Sequence, residues 1–263
     1  MQCGISTACF FPRDTLESFE FLAKNGVPVT ELFLNTFSEL DQGYVDRLLK
    51  IQAKYGIRVS GVHPFSSSME GFLFASAYKT RLGDGIALYR RFFEICHLFG
   101  ADKLVFHGDH EYNLRQFSDE AYAENFATLA QAGLEYGVTL CQENVAYCRC
   151  GDTQAVHSLR PLLGEYSAFV LDTKQACRRG VGIYALMAEM GEDIRQVHVS
   201  DHAGSEHCLP PGAGEMDFVP FIAKLREYHY DGDLIIELYS DNYSEPQALL
   251  QAMHHLQKLA DRG

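Results

Sequence analysis

The stretch VTLCQENVAYCRCGDTQAVHSLRPLLGEYSAFVLD at residues 138–172 decides the predicted fold of this chain. It opens with an apolar run at 138–143 that predicts a buried strand ending in Glu143. An amphipathic segment follows at 152–163, and a second apolar run at 168–172 ends in Asp172. Two apolar strands joined by a helix are typical of a parallel βαβ unit that is buried on both faces of its sheet.

The same alternation recurs along the whole chain. Strands are predicted at 2–6, 30–34, 58–63, 103–107, 138–143, 168–172, 194–201 and 234–238. Helices are predicted at 14–26, 39–55, 75–99, 117–135, 152–163, 181–190, 216–228 and 245–260, with long loops at 64–74 and 202–215. Eight such units predict an α/β protein with one domain over 1–263, a (β/α)8 TIM barrel. The alternative is an open doubly wound sheet, but no G-x-G-x-x-G follows the first strand.

Composition narrows the classes of partner. The 263 residues include 47% hydrophobic ones, enough for a sizeable core, and carry a formal net charge of −13. A strongly acidic chain repels phosphate backbones and anionic membrane surfaces, so we expect neither nucleic acid nor a membrane as partner. No apolar run approaches the length of a membrane-spanning helix.

Cysteine usage and the amino terminus predict a cytoplasmic protein. The eight cysteines include no C-x-x-C pair, which favours free thiols in a reducing compartment. The opening MQCGISTACFFPRD lacks a basic segment followed by an apolar one, so no signal peptide is predicted. Assembly into a homo-oligomer stays open.

Four ligand-type side chains each follow an apolar run where a strand gives way to a loop: Glu143, Asp172, His198 and Glu237. In a barrel, these strand ends crowd together at the carboxyl-terminal face. Any one of the acids could belong to a structural ion pair, but three carboxylates in one pocket repel each other severely without a cation. Oxygen ligands with one imidazole suit Mn²⁺, Mg²⁺ or Co²⁺, and Zn²⁺ can also bind them. We therefore predict one divalent metal ion there.

Other polar residues near the strand ends leave alternatives open. His63 and His107 also end strands and are expected to contact substrate or support the metal ligands, with direct ligation as the alternative. Lys174, Arg178 and Arg179 follow the sixth strand and either receive a substrate phosphate or carboxylate, or form a solvated basic stretch.

Several motifs resemble one known superfamily. They are QEN (142–144), LDTKQA (171–176), HVSDHAGSEHCLPPGAGEMDF (198–218) and IIELY (235–239). With these motifs the chain resembles the xylose isomerase-like TIM barrels, which include sugar isomerases, sugar epimerases and AP endonucleases of the endonuclease IV type. The resemblance spans essentially the whole chain and is more specific for the superfamily than for any one activity.

The resemblance to the sugar epimerase branch implies roles for individual residues. Matching positions imply that Glu143, Asp172, His198 and Glu237 hold one divalent ion, and that Glu143 and Glu237 also act as catalytic acid and base. We also expect a small sugar or sugar phosphate to contact His63, His107, Gln175, Asp201 and His207. The expected activity is therefore that of a metal-dependent sugar isomerase or epimerase that transfers a proton through an enediolate.

One departure from the family pattern keeps other activities open. The superfamily usually has D-x-x-H after the sixth strand, and this chain has Asp172-Thr173-Lys174-Gln175. An endonuclease IV-like phosphodiesterase needs the histidine for its zinc ions, so Gln175 and the acidic charge argue against that reading. A lyase similar to inosose dehydratase remains an alternative on the same site, and so does a non-catalytic sugar-binding barrel.

Overall fold

The protein, as a computed structural model, is described over residues 1–113 and 117–262. Residues 114–116 and Gly263 of the predicted domain therefore lie outside the described residues. The barrel strands are β1 (Cys3–Ile5), β2 (Val29–Phe33), β3 (Arg58–His63), β4 (Lys103–Phe106), β5 (Thr139–Glu143), β6 (Phe169–Asp172), β7 (Ile194–Val199) and β10 (Leu234–Ile236). They form one sheet in the order β1-β10-β7-β6-β5-β4-β3-β2, and every hydrogen-bonded pair is parallel.

Helices connect these strands along the chain. They are α1 (Thr15–Lys24), α2 (Gln42–Tyr55), α3 (Ser67–Phe74), α4 (Lys79–Phe99), α5 (Asp119–Leu134), α6 (Thr153–Leu163), α7 (Thr173–Arg179), α8 (Ile183–Met190), α9 (Phe218–Glu227) and α10 (Pro246–Ala260). The predicted (β/α)8 barrel is confirmed. In the described ranges, no helix combines the length and apolar character that crossing a membrane requires. All eight cysteines are free thiols.

The barrel closes where β1 meets β2. The Thr30 hydroxyl donates a hydrogen bond of 2.6 Å to the Ile5 carbonyl oxygen, and the Phe33 amide donates one of 2.8 Å to the Thr7 hydroxyl. A Cβ atom at Gly4 would lie 2.2 Å from the Val29 carbonyl oxygen, so only glycine permits this close approach. Side chains and close packing thus join the two ends of the sheet.

Three local features differ from the sequence predictions. The segment predicted as a loop at 64–74 contains α3, and the one at 202–215 contains an antiparallel hairpin of β8 (Asp201–Ala203) and β9 (Glu206–Leu209). Helix α7 follows β6 without an intervening loop. It begins there because the Asp172 carboxylate caps it, accepting a hydrogen bond of 2.8 Å from the Gln175 amide.

Alternation along the strands assigns their side chains to two layers. Residues such as Leu104, Phe106 and Leu171 belong to the main core between strands and helices. Their neighbours Val105, Cys141, Ala168 and Val170 form a separate small cluster inside the barrel. Because side chains alternate with a period of two, residues two positions beyond this inner cluster also face the barrel interior at its carboxyl-terminal end. That is where the functional candidates lie.

Candidate metal centre

Four side chains predicted from separate strand ends meet inside the barrel. Glu143 ends β5, Asp172 ends β6, His198 lies on β7 and Glu237 follows β10. One ligand atom from each lies within 4.8 Å of the other three. The first three side chains are almost fully buried, and Glu237 keeps 11% of its side-chain exposure. We call these four residues the metal-ligand cluster.

A single nitrogen atom of the His198 imidazole, Nδ1, faces three carboxylates. This atom lies 2.7 Å from Glu237 Oε2, 3.1 Å from Glu143 Oε1 and 3.8 Å from Asp172 Oδ2. One N–H can donate well to only one of them, and Glu237 Oε2 is not aligned to accept. Among the described residues, Glu237 Oε2 and Asp172 Oδ2 are buried oxygens without a hydrogen-bond partner. A divalent cation fits this donor set, because it would engage the oxygens that a proton leaves unsatisfied.

The other nitrogen of His198 is held by Glu31, on β2. The Nε2 atom lies 2.9 Å from Glu31 Oε2, and the Gln196 amide also contacts that oxygen. A carboxylate behind a histidine keeps the proton on the nitrogen it faces and leaves the opposite nitrogen as the ligand atom. Glu31 is fully buried. The sequence analysis missed it, although an acid inside the apolar run 30–34 was the signal that could have identified it.

Charge in the cluster is balanced by protonated groups when no metal is bound. Burial lowers the pKa of His198, but Glu31 and Glu237 outweigh burial and raise it well above its ordinary value. Burial raises the pKa of Glu237, but Lys174 and His198 overcome that effect and hold it well below its ordinary value. The imidazolium and the lysine therefore take the place of the cation, and metal binding would expel the Nδ1 proton.

Lys174 is buried beside the cluster instead of exposed. Its Nζ atom lies 3.1 Å from Glu237 Oε1, 3.7 Å from Asp172 Oδ2 and 4.8 Å from the centre of the Tyr239 ring. Burial lowers the pKa of Lys174, but the two carboxylates raise it well above its ordinary value. The alternative of a solvated lysine is therefore wrong for a side chain that is 2% exposed.

The two arginines that follow Lys174 are also engaged within the protein. Arg178 donates a hydrogen bond of 2.8 Å to the Tyr239 hydroxyl. Arg179 pairs with Glu111 at 2.8 Å and with Asp152 at 2.9 Å. Arg179 therefore fastens loops together, and nothing in its contacts points to a substrate phosphate.

His63 and His107 form a second group around the far oxygen of Glu143. The Nε2 atom of His107 lies 2.8 Å from Glu143 Oε2 and 2.9 Å from His63 Nε2, and His63 Nε2 is 3.8 Å from the same oxygen. His63 Nδ1 lies 3.2 Å from the Pro64 carbonyl oxygen, which accepts its proton and leaves Nε2 facing the site. Burial lowers the pKa of His107, but Glu143 outweighs it and raises the value to about 9.

Glu70, on α3, fixes the end of β4 beneath His107. Its Oε2 atom accepts hydrogen bonds from the His107 amide at 2.8 Å and the Gly108 amide at 2.6 Å. The Tyr89 hydroxyl donates to its other oxygen at 2.5 Å. Glu70 is fully buried, and burial raises its pKa. It supports the position of His107, and sequence analysis missed it because α3 was predicted as a loop.

Comparison with known families identifies the chain. A sequence profile described as "Xylose isomerase-like TIM barrel" matches residues 19–259. The chain belongs to this family. The superfamily resemblance drawn from the four motifs is therefore confirmed.

Solved structures similar to this xylose isomerase-like TIM barrel include sugar epimerases. A D-tagatose 3-epimerase-like protein superposes with a TM-score of 0.79 at 18% identity, covering 100% of this chain and 98% of the other. D-psicose 3-epimerase in the presence of D-fructose gives 0.79 at 13% identity, covering 100% and 99%. The IolI protein with a bound zinc atom gives 0.74 at 16% identity, covering 100% and 96%. At these identities the likeness establishes the fold.

The three remaining predicted substrate contacts of this xylose isomerase-like barrel lie outside the metal-ligand cluster. The Gln175 side-chain oxygen accepts a hydrogen bond of 3.2 Å from the Ala146 amide. Both Asp201 oxygens accept from backbone amides, those of His202, Gly212, Gly214 and Met216. His207 Nδ1, on β9, lies 3.2 Å from Cys177 Sγ. These contacts give Asp201 the task of shaping the loop over 201–216, and none of the three joins the histidines and carboxylates.

Proposed function

We propose that the protein is a divalent-metal-dependent sugar epimerase or isomerase that works by proton transfer next to a carbonyl group. The observation that carries the proposal is the single His198 nitrogen facing three carboxylate oxygens, two of which lack a hydrogen-bond partner. The sugar epimerases among similar structures support the class of substrate, a small sugar with or without phosphate. The zinc atom of the IolI protein supports metal binding by a barrel of this fold.

The metal-ligand cluster would hold one ion, Mn²⁺, Mg²⁺, Co²⁺ or Zn²⁺, through Glu143, Asp172, His198 and Glu237. When bound, such an ion polarises a carbonyl group and acidifies the neighbouring C–H bond. The hard carboxylate oxygens favour the first three ions, while the imidazole also suits zinc. Glu31 would orient His198 toward the ion from behind.

Glu143 and Glu237 would move the proton. They come from β5 and β10, which are separated in the sheet by β6 and β7, so they approach the barrel centre from different directions. One carboxylate takes the proton from the carbon beside the carbonyl, giving an enediolate. The other carboxylate first takes a proton from solvent, and then returns it to the opposite face for epimerisation, or to the neighbouring carbon for isomerisation.

The surrounding cations would prepare these two glutamates as proton acceptors. Burial raises the pKa of Glu143, but His107, His198 and His63 outweigh burial and hold it well below its ordinary value. Lys174 and His198 do the same for Glu237. Both carboxylates are therefore ionised at neutral pH, and the imidazole of His107 lies where it can donate to a substrate oxygen bound near Glu143, while Nε2 of His63 can accept.

The test combines metal content with proton exchange. We expect about one equivalent of divalent metal by elemental analysis, lost in Glu237→Gln. We also expect D-fructose or another ketose to exchange a C–H proton for solvent deuterium, followed by NMR. Exchange that persists at full rate without metal would contradict the proposal, and so would a protein that binds no metal even after reloading with Mn²⁺.

The same experiment separates the alternative activities. Elimination of water from an inosose, without net epimerisation, would identify a lyase on this site. Two or more metal equivalents that depend on His63 and His107 would instead favour a phosphodiesterase, since these histidines and Glu143 form a second group with metal-ligand spacing.

A further inference from the structure

A cleft of about 730 Å³ opens beside the metal-ligand cluster and is larger than one sugar needs. It runs from α3 and the start of α4 to the loops after β4 and β5, and it meets the site at His107 and Gly108. A hexose takes the room of roughly seven waters, on the order of 200 Å³ at about 30 Å³ per water. The cleft therefore has room for a second group attached to the reacting sugar.

The walls of this cleft combine exposed aromatic faces with hydroxyl groups. Phe72 is 57% exposed and Tyr112 is 71% exposed, and the Tyr112 ring lies 4.6 Å from that of His110. Exposed apolar surface gathered in a cleft, unlike single scattered residues, often marks a binding site. Ser67, Ser68 and Ser76 also line the cleft. Aromatic faces pack against the C–H groups of a pyranose ring while hydroxyl side chains pair with its hydroxyls, so the walls match a carbohydrate.

The charge of the cleft favours a neutral ligand with many hydroxyls. None of the described residues that line it is acidic. The arginine among these described residues, Arg81, is already engaged, since its guanidinium lies 3.9 Å from the Phe72 ring centre and donates to Ser76 at 3.5 Å. A guanidinium over a ring face retains N–H groups that can donate to hydroxyls.

We propose that this cleft binds a second pyranose ring, so that the substrate is a ketose joined to another sugar by a glycosidic bond. The inference rests on the proposed sugar chemistry of the metal-ligand cluster. The reacting ketose lies at His107 and the cluster, and the attached ring extends outward over Phe72 and Tyr112. The protein then distinguishes a disaccharide from a free ketose through contacts remote from the proton transfer.

The experiment compares D-fructose with two disaccharides, isomaltulose and maltulose, in which glucose is attached to C6 or C4 of the fructose unit. Binding to the metal-loaded protein is followed by saturation-transfer NMR, and deuterium exchange is measured in parallel. The variants are Phe72→Ala and Tyr112→Ala. Phe37→Ala is the matched control, because Phe37 is also 57% exposed but packs on Phe65, at 4.7 Å, away from the cleft.

We expect at least one disaccharide to bind more tightly than D-fructose, with saturation transferred to its glucosyl protons. Phe72→Ala should lower this preference by about tenfold, the value of one aromatic contact, and Phe37→Ala should leave it unaltered. Binding is measured independently of exchange. Saturation transfer to the glucosyl protons without any deuterium exchange would therefore contradict the proposed activity but support the assignment of the cleft.

Three results would overturn the inference. The first is equal binding of D-fructose and both disaccharides. The second is tighter binding of D-fructose 6-phosphate than of either disaccharide, lost in Arg81→Ala, which would assign the cleft to an anionic substrate. The third is a dimer that Phe72→Ala converts to monomers without changing sugar preference, which would make the cleft an interface between copies of this chain.

Discussion

The two ends of the barrel place their charged groups in opposite ways. At the amino-terminal end, charges lie in pairs whose arginine is about half exposed, such as Arg58 with Asp233 and Arg90 with Glu135, at 2.6 Å in both cases. At the carboxyl-terminal end, Glu31, Glu143 and Asp172 are almost fully buried around one imidazole. Buried like charges destabilise a fold unless a cation or a proton compensates them, so only the second end has an arrangement that stability alone does not explain.

Exposed aromatic residues follow the same division. Eight aromatic side chains in the described ranges are largely exposed: Phe11, Phe37, Phe72, Tyr78, Tyr112, Tyr147, Tyr184 and Tyr239. Most of them lie in the segments that connect a barrel strand to a later helix. Phe72 lies in α3, between β3 and α4, and Tyr184 lies in the first turn of α8. None lies in a turn that leads from a helix into a strand, where glycines with positive φ such as Gly56 and Gly100 end the helices instead. One end carries tight turns, and the other carries the exposed aromatic rings.

The largest effect that separates the two ends is expected from Glu143→Gln, compared with Glu135→Gln. Glu143 is the last residue of β5, whereas Glu135 lies in the turn that leads from α5 into β5. Loss of the proposed proton acceptor should lower the exchange rate about 100- to 10,000-fold, a far larger effect than its effect on stability. The Glu135 variant, which loses an exposed pair, should stay within about twofold in rate. A similar loss of exchange rate in both variants would contradict the contrast between the two ends of the barrel.

Glu31→Gln should weaken metal binding by about 10- to 100-fold, because His198 loses the carboxylate that orients it. The dissociation constant is measured by competition with a chelating dye. Glu39→Gln is the control, since Glu39 is also a buried acid near β2 but hydrogen-bonds Thr15 and the Asn35 amide. Unchanged affinity in Glu31→Gln would show that His198 does not bind the metal through Nδ1.

The chelator-treated protein should lose stability as pH rises from about 6.5 to about 9. The pKa of His107 is raised from 6.5 to about 9 in the folded protein, so its stabilisation is present below the lower value and lost through the upper one. Urea unfolding across this range should show a decrease on the order of 2 kcal/mol. His107→Asn should flatten the profile, whereas His157→Asn, on the exposed surface of α6, should not.

The smallest effect is expected at the amino-terminal end, from Arg58→Met. Arg58 pairs with both oxygens of Asp233 at 2.6 and 2.8 Å, but its side chain is 49% exposed. An exposed pair contributes up to about 1 kcal/mol, and methionine keeps the apolar stem. Urea unfolding should therefore change by no more than that, with the metal content unaltered. A loss of metal would mean that the two ends are coupled.

The sequence predicted the barrel and four converging side chains of ligand type because those signals are local. An apolar run of five or six residues followed by an acid or a histidine can be read without knowing any contact, and parallel strands bring such ends together. Helix α3 was missed because its serine-rich start is typical of a loop, and the contact that fixes it, from Glu70 to the His107 and Gly108 amides, spans 37 and 38 positions.

By itself, then, the sequence determined where the strands and helices lie along the chain. It also determined that four side chains gather at the strand ends: Glu143, Asp172, His198 and Glu237. Tertiary structure alone decided that Glu31 lies behind His198, across 167 positions, and that Lys174 is buried against Glu237, across 63. It also decided that Asp201 binds loop amides instead of facing the site. The physical reason is that burial and pairing of a charge depend on distances between distant segments, which no local pattern contains.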